Sequence, residues 1–243
     1  MLDIKNLHKS FGGLKVFKGL DLQVGAGELR SIIGPNGTGK TTLFNLISGR
    51  LRPDSGQIIF KGQDISRRNV HQISRLGIGR KFQTPSVFEE MTVWDNLMVA
   101  GTAHQKTGTL FTRQRNSVRE TRALEILQRI NLTDQRHRLA GDLSHGQKQW
   151  LEIGVVILNE PEMILLDEPT AGMTAAETAA TADLILNTFR DQTTVIIEHD
   201  VSFVRRLACP ITVLYDGRVM REGSFADIAA DVAVRRVYLG EEV

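Results

Sequence analysis

The sequence predicts an α/β protein with a mainly parallel sheet interrupted by a block of helices. Three observations carry this. Short apolar runs typical of buried strands lead into glycine-rich or acidic segments at 29–33, 163–166 and 194–197. Helical spacing separates these runs, and strands separated by helices imply parallel neighbours. From about Val87 to Leu158 the texture is helical, so this block divides the strands into two groups.

Leu20-Asp21-Leu22-Gln23-Val24 alternates apolar and polar residues and reads as a half-buried strand. Leu29 to Ile33 is a buried strand leading into Gly34-Pro35-Asn36-Gly37-Thr38-Gly39-Lys40-Thr41-Thr42, a complete phosphate-binding loop. The run from Thr42 to Ile47 continues it as a helix. Glycines there let consecutive backbone N–H groups converge on a polyphosphate, and the helix start adds partial positive charge. Lys40 is placed to reach the β- and γ-phosphates, and the Thr41 hydroxyl to ligate Mg²⁺. A surface turn would need neither the preceding strand nor the following helix, so the segment predicts binding of a nucleoside triphosphate.

Gly56 to Phe60 is a further strand, closed by a Lys61-Gly62 turn. Gly101 to Ser117 is polar and expected to be a loop, after which Val118, Leu124, Leu127 and Ile130 are expected to line one helix face. Leu143-Ser144-His145-Gly146-Gln147 precedes a stretch of helical period at Trp150, Ile153, Val156 and Ile157. Ser144 can cap that helix, whose N–H groups make a second anion site that lacks a lysine. Two copies facing head to tail would let each cap complete the other's γ-phosphate site.

Met163 to Leu166 runs into Asp167-Glu168-Pro169. Consecutive strand residues point to opposite faces, so the two carboxylates can serve different tasks. Asp167 is assigned to Mg²⁺, and Glu168 to orienting or deprotonating the water that attacks the γ-phosphate. Ile196-Ile197-Glu198-His199-Asp200 repeats the design. His199 falls at the strand end where ligands of open α/β sheets collect, and is assigned a hydrogen bond to the γ-phosphate. Ile211 to Tyr215 is a strand, and Asp216-Gly217 a two-residue hairpin turn into Val219-Met220.

With 243 residues the chain suits one large domain or a domain with an inserted lobe. A net charge of +2 gives no broad basic field for nucleic acid. The single cysteine, Cys209, excludes an intramolecular disulfide and suits a reducing compartment. No apolar run approaches the roughly 18 residues of a membrane span, and Met1 to Asn6 has no signal-peptide core. A cytosolic protein is expected.

The phosphate loop, Gln83 after Lys81-Phe82, the Leu143–Gln147 segment, the Asp167-Glu168 strand and His199 together resemble the ATP-binding cassette (ABC) ATPases over essentially the whole chain. The resemblance implies a P-loop NTPase fold of ABC type with an N-terminal antiparallel β part. It implies a RecA-like core at about 1–86 and 160–243, and a helical subdomain at about 87–159. It also implies that Gln83 touches Mg²⁺ and the attacking water, that Phe11 stacks on adenine, and that Ser144, Gly146 and Gln147 contact a nucleotide held by a second ATPase subunit.

Three stretches are similar to the urea-importer ATPases, siblings of the branched-chain amino-acid group: Gly77 to Phe88, Leu143 to Glu152, and Ala171-Gly172-Met173-Thr174. Two positions depart from the general pattern. His145 stands where most cassettes have glycine, and Thr174 where many have aspartate. The implied function is ATP hydrolysis with Mg²⁺ for an importer, of urea or alternatively of branched-chain amino acids. The implied partners are membrane permease subunits, a second ATPase (itself or a sibling) and, indirectly, an external substrate-binding protein, with no nucleic acid. The chain would sit on the inner face of the cell membrane, the permease docking in a groove near Gln83. A soluble cassette of translation or DNA repair is the other class; those usually carry two fused cassettes or long coiled-coil insertions, and neither is present.

Overall fold

Period-two burial builds the first sheet. In β2 (Leu14–Val24), Leu20, Leu22 and Val24 are buried while Asp21 and Gln23 are exposed. A computed structural model describes residues 1–81, 87–101, 113–189 and 192–239. Its N-terminal sheet is antiparallel in the order β2-β1-β4-β5, with β1 (Leu2–Phe11), β4 (Ser55–Phe60) and β5 (Gln63–Asp64).

The second sheet has the order β10-β9-β3-β8-β7-β6. It comprises β3 (Leu29–Ile33), β6 (Ile78–Lys81), β7 (Met163–Asp167), β8 (Thr193–Ile197), β9 (Ile211–Tyr215) and β10 (Arg218–Gly223). All its pairings are parallel except β10 on β9. Every residue of β7 and β8 is buried, as expected of parallel strands covered on both faces. Alternate residues serve two cores. Met163, Leu165, Val195 and Ile197 pack with Leu43, Phe44 and Ile47 of α1 (Lys40–Ile47) and with the first sheet. Ile164, Leu166 and Ile196 pack instead with α3 (Val93–Ala100), α5 (His145–Leu158) and α6 (Ala175–Thr188).

Between β6 and β7, helices α3, α4 (Arg113–Arg129) and α5 share that second core. Two expectations need correction here. Residues 113–117 belong to α4 rather than to a loop, because a run of charged and polar residues continues the helix where no breaker stops it. The buried face of α4 is Ala123, Ile126 and Leu127, continued by Ile130 just past its end, a regular i, i+3, i+4, i+7 stripe. Val118 and Leu124 fall off that stripe and are 67% and 40% exposed.

Both predicted two-residue turns form with left-handed backbones, Lys61 and Gly62 at φ 51° and 78°, Asp216 and Gly217 at φ 46° and 74°. These are type I′ values, the hairpin geometry that matches strand twist. The remaining helices are α2 (Val70–Arg75), α7 (Val201–Leu207), α8 (Phe225–Ala230) and α9 (Val232–Leu239). Among the described residues, no helix is long and apolar enough to cross a membrane.

Candidate active site

The turn from β3 to α1 is forced by close packing. At Gly34 an added Cβ would lie 2.4 Å from the Leu214 carbonyl oxygen. Gly39, the N-cap of α1 at φ 95°, packs on β2, where a Cβ would lie 2.6 Å from Val16 Cγ1. Between them Pro35, Asn36, Gly37 and Thr38 form the tip, with Asn36 and Gly37 exposed. Thr38 Oγ1 donates to Pro35 O at 3.0 Å, tightening the loop. Lys40 folds back across it, its Nζ donating to the carbonyls of Gly34 (2.6 Å) and Pro35 (3.0 Å). Burial lowers its pKa, and the charges of Glu168 and Asp167 oppose that shift. Thr41 is exposed in the first turn of α1 and Thr42 is half-buried beside it.

The two carboxylates at the end of β7 occupy different surroundings. Asp167 is fully buried; its Oδ2 accepts from Arg80 Nη2 at 2.9 Å, and its Oδ1 is buried with no hydrogen-bond partner among the described residues. Burial raises its pKa, while Arg80 pulls the other way. Glu168 sits at φ 45°, in the left-handed region that non-glycine residues seldom adopt and that recurs at functional sites. Its backbone N–H is held by Ile197 O at 2.9 Å. His199 Nδ1 lies 3.8 Å from Glu168 Oε1, and the imidazole side chain is 60% exposed. The fold thus brings Lys40, Asp167, Glu168 and His199 to the C-terminal ends of the neighbouring strands β3, β7 and β8.

At the head of α5, Ser144 Oγ accepts from Gln147 N at 3.2 Å and Gln147 Oε1 accepts from Ser144 N at 3.0 Å, a reciprocal cap. Gly146 is buried in that first turn, where an added Cβ would lie 2.8 Å from Glu177 Oε1. Ser144 also approaches Glu177 of α6 at 3.4 Å; none of its hydrogen bonds reaches residues 34–42 of the same chain. His145 turns toward the loop after Glu168, its Nε2 donating to Ala171 O at 2.8 Å. Thr174 caps α6 in a second reciprocal box with Glu177, which gives that residue a local task.

The ABC transporter family model matches residues 17–171. The chain belongs to this family. It is an ATP-hydrolysing subunit of the ABC transporter type, with the ABC α/β fold of an antiparallel N-terminal sheet and a mainly parallel second sheet. The chain is 36% identical to the high-affinity branched-chain amino acid transport ATP-binding proteins BraF of Pseudomonas aeruginosa and LivG of Escherichia coli K12. Each alignment covers 99% of the chain and 98% of the relative. It superposes on the ADP conformation of MJ1267, an ATP-binding cassette of an ABC transporter, with a TM-score of 0.87 at 31% identity and 99% coverage of both chains. A dimeric bacterial ABC transporter cassette, MJ0796, matches at a TM-score of 0.77 and 26% identity, over 93% of this chain and 99% of that one.

Two expected contacts of the ABC subunit need separate mention. Gln83 lies outside the described residues. Phe11 is 45% exposed at the end of β1, with Lys9 Nζ 5.3 Å from its ring centroid, so it is no core residue. The residues that sequence reasoning left unassigned are Arg80, Lys81, Glu152 and Glu198, all buried or nearly so. Glu152 carried a signal, a charge inside an apolar run, and Glu198 closes one, whereas Arg80 and Lys81 sit in no apolar run; such residues are almost never fully buried unless paired. Lys81 Nζ lies 3.4 Å from Glu152 Oε2, joining β6 to α5. Beside this pair a groove of about 400 Å³ opens, lined by Ser48, Ile73, Arg80, Lys81, Glu152 and Val156.

Proposed function

We propose that this subunit energises an importer of branched-chain amino acids, working on the cytoplasmic face of the cell membrane with separate permease subunits. The single observation carrying this is the 36% identity, over nearly the full length of both chains, to LivG and BraF. It favours the alternative over the urea importer expected from short motifs. Urea stays the second reading on the three urea-like stretches of sequence alone, two of which the hydrogen bond from His145 to Ala171 O brings into contact. In a complex reconstituted with its permease and binding protein, leucine is expected to stimulate ATP hydrolysis several-fold and urea to leave it unchanged. Stimulation by urea alone would restore the first expectation without touching the ATP chemistry.

In this reading the sheet core at about 1–86 and 160–243 holds ATP, and the helical lobe at about 87–159 receives the permease. The groove beside Arg80 and Lys81 has a mixed polar and apolar lining that suits a permease segment, and Phe88 and Met91 stand exposed on the segment leading into α3. Lys40 and the N–H groups of 34–42 bind the phosphates. The residues fit Mg²⁺: Asp167 Oδ1 is a buried oxygen without a partner, and Thr41 stands exposed in the first turn of α1. Asp167, Thr41 and Gln83 would hold it, and when bound it neutralises charge developing on the transferred phosphoryl group. Glu168 takes the proton of the attacking water, and His199 donates to the γ-phosphate. A second ATPase subunit, identical or a sibling, supplies Ser144, Gly146 and the head of its α5 across the nucleotide.

Phe11 stacks on adenine in this scheme. Phe11→Ala is expected to weaken nucleotide binding by about 1 kcal/mol, and Phe11→Trp to preserve it. Titration with a fluorescent nucleotide checks both, and unchanged affinity in the alanine variant would leave Phe11 as a plain surface residue.

A further inference from the structure

Arg80 stands on β6 immediately before the buried Lys81, and its side chain is only 5% exposed. A guanidinium in such a place is held by what it touches. Nη1 donates to Asn45 Oδ1 at 2.8 Å and to Ser48 Oγ at 3.0 Å, both close to the C-terminal end of α1. The guanidinium carbon lies 5.6 Å from the centroid of the Phe44 ring, on the same helix. Nη2 donates to Asp167 Oδ2 at 2.9 Å. One arginine therefore ties the last carboxylate of β7 to the helix that begins at Lys40.

The geometry around Asp167 is asymmetric. One oxygen is clamped by Arg80, and the other is buried and unpartnered. A planar carboxylate with one oxygen fixed has the direction of the other fixed as well. Arginine's rigid fork suits this better than a lysine would, because it can serve α1 and the carboxylate from separate nitrogens.

We propose that Arg80 is a positioning residue that clamps Oδ2 of Asp167 to α1 and so presents Oδ1 to the divalent cation accompanying ATP. This rests on the reading of Asp167 as the metal carboxylate. Partners held outside the first ligand set commonly shift metal affinity by 10–100-fold.

Mn²⁺ can be titrated by electron paramagnetic resonance into the full chain saturated with a non-hydrolysable ATP analogue. Arg80→Met is expected to weaken Mn²⁺ binding roughly tenfold, with the metal-free affinity for the analogue unchanged. Arg80→Lys keeps the charge but loses the fork, and is expected to fall between Arg80→Met and the wild type. Asp167→Asn serves as the reference and is expected to bind Mn²⁺ at least as poorly as Arg80→Met. The sign of the change is decisive, because deleting a cation that acted only through its charge would tighten Mn²⁺. Arg80→Met binding Mn²⁺ as well as wild type or better, while Asp167→Asn binds it poorly, would overturn the proposal and leave the role of Asp167 standing. Wild-type binding in Asp167→Asn would instead remove the reading on which the proposal rests. Should Arg80→Met fail to fold, Asn45→Ala with Ser48→Ala removes two struts and keeps the ion pair. Weaker Mn²⁺ binding there supports the clamp, and unchanged binding overturns it.

Discussion

Glu168→Gln is expected to bind ATP as the wild type does and to lose turnover by roughly 10²-fold or more. The substitution keeps shape and hydrogen bonding but removes the basicity that the proposed mechanism needs. The site supports a large effect because Glu168 is held at φ 45° by its N–H bond to Ile197 O, beside Lys40 and within 3.8 Å of His199. Few side chains could take over its position. Lys40→Ala should behave differently, weakening phosphate binding itself. Phosphate release under saturating ATP, with nucleotide affinity measured separately, distinguishes the two variants. A Glu168→Gln protein that hydrolyses ATP at close to the wild-type rate would place the base elsewhere.

Lys81→Met is expected to destabilise the fold by about 3–5 kcal/mol, because it removes the cation facing a buried glutamate. The side chains of Lys81 and Glu152 are 1% and 3% exposed. Burial lowers the pKa of Lys81, and the charge of Glu152 opposes that shift. The pair is therefore desolvated on both sides, unlike the surface pairs that contribute little. Total stabilities are on the order of 5–15 kcal/mol, so this one change would approach the threshold of folding. Replacing both partners, Lys81→Met with Glu152→Leu, should recover most of the loss, since matched apolar groups need no compensating charge. Urea unfolding of the two singles and the double checks the cycle. A Lys81→Met variant losing less than about 1 kcal/mol would show that Glu152 is compensated without Lys81, by water or by other neighbours.

What was legible in the sequence was written in neighbouring residues. The strand-to-helix turn at 34–42, the two I′ hairpins and the buried runs of β7 and β8 each follow from spacing within ten residues or fewer. Helix α4 was misread at its start because Arg113 to Ser117 carries no apolar stripe to announce a helix. Its buried face was half read: Leu127 and Ile130 are buried, but Ala123, small and easily overlooked, marks the stripe better than Val118 does.

The site divides in the same way. Adjacent carboxylates at a strand end are visible locally. The partner of Asp167 comes from a position 87 residues earlier in the chain, and the contact of His145 spans 26. Sequence reasoning noted only that His145 replaces a glycine; where its side chain goes depends on the packing of α5 against the loop at Ala171.

Glu198 has no freedom to exchange partners. Buried completely, it accepts from Thr170 N at 3.0 Å and Thr170 Oγ1 at 2.5 Å with one oxygen, and from His199 N at 3.0 Å and Asp200 N at 3.4 Å with the other. Losing any of these bonds would strand charge in a dry interior. The segment after Glu168 and the backbone that carries His199 are thus riveted to one anion. The chain of bonds runs on from Thr170, whose carbonyl accepts from Met173 N, to the threshold of α6. Both loops hang from this one carboxylate, so a shift of either is expected to carry the other with it while the strands keep their register.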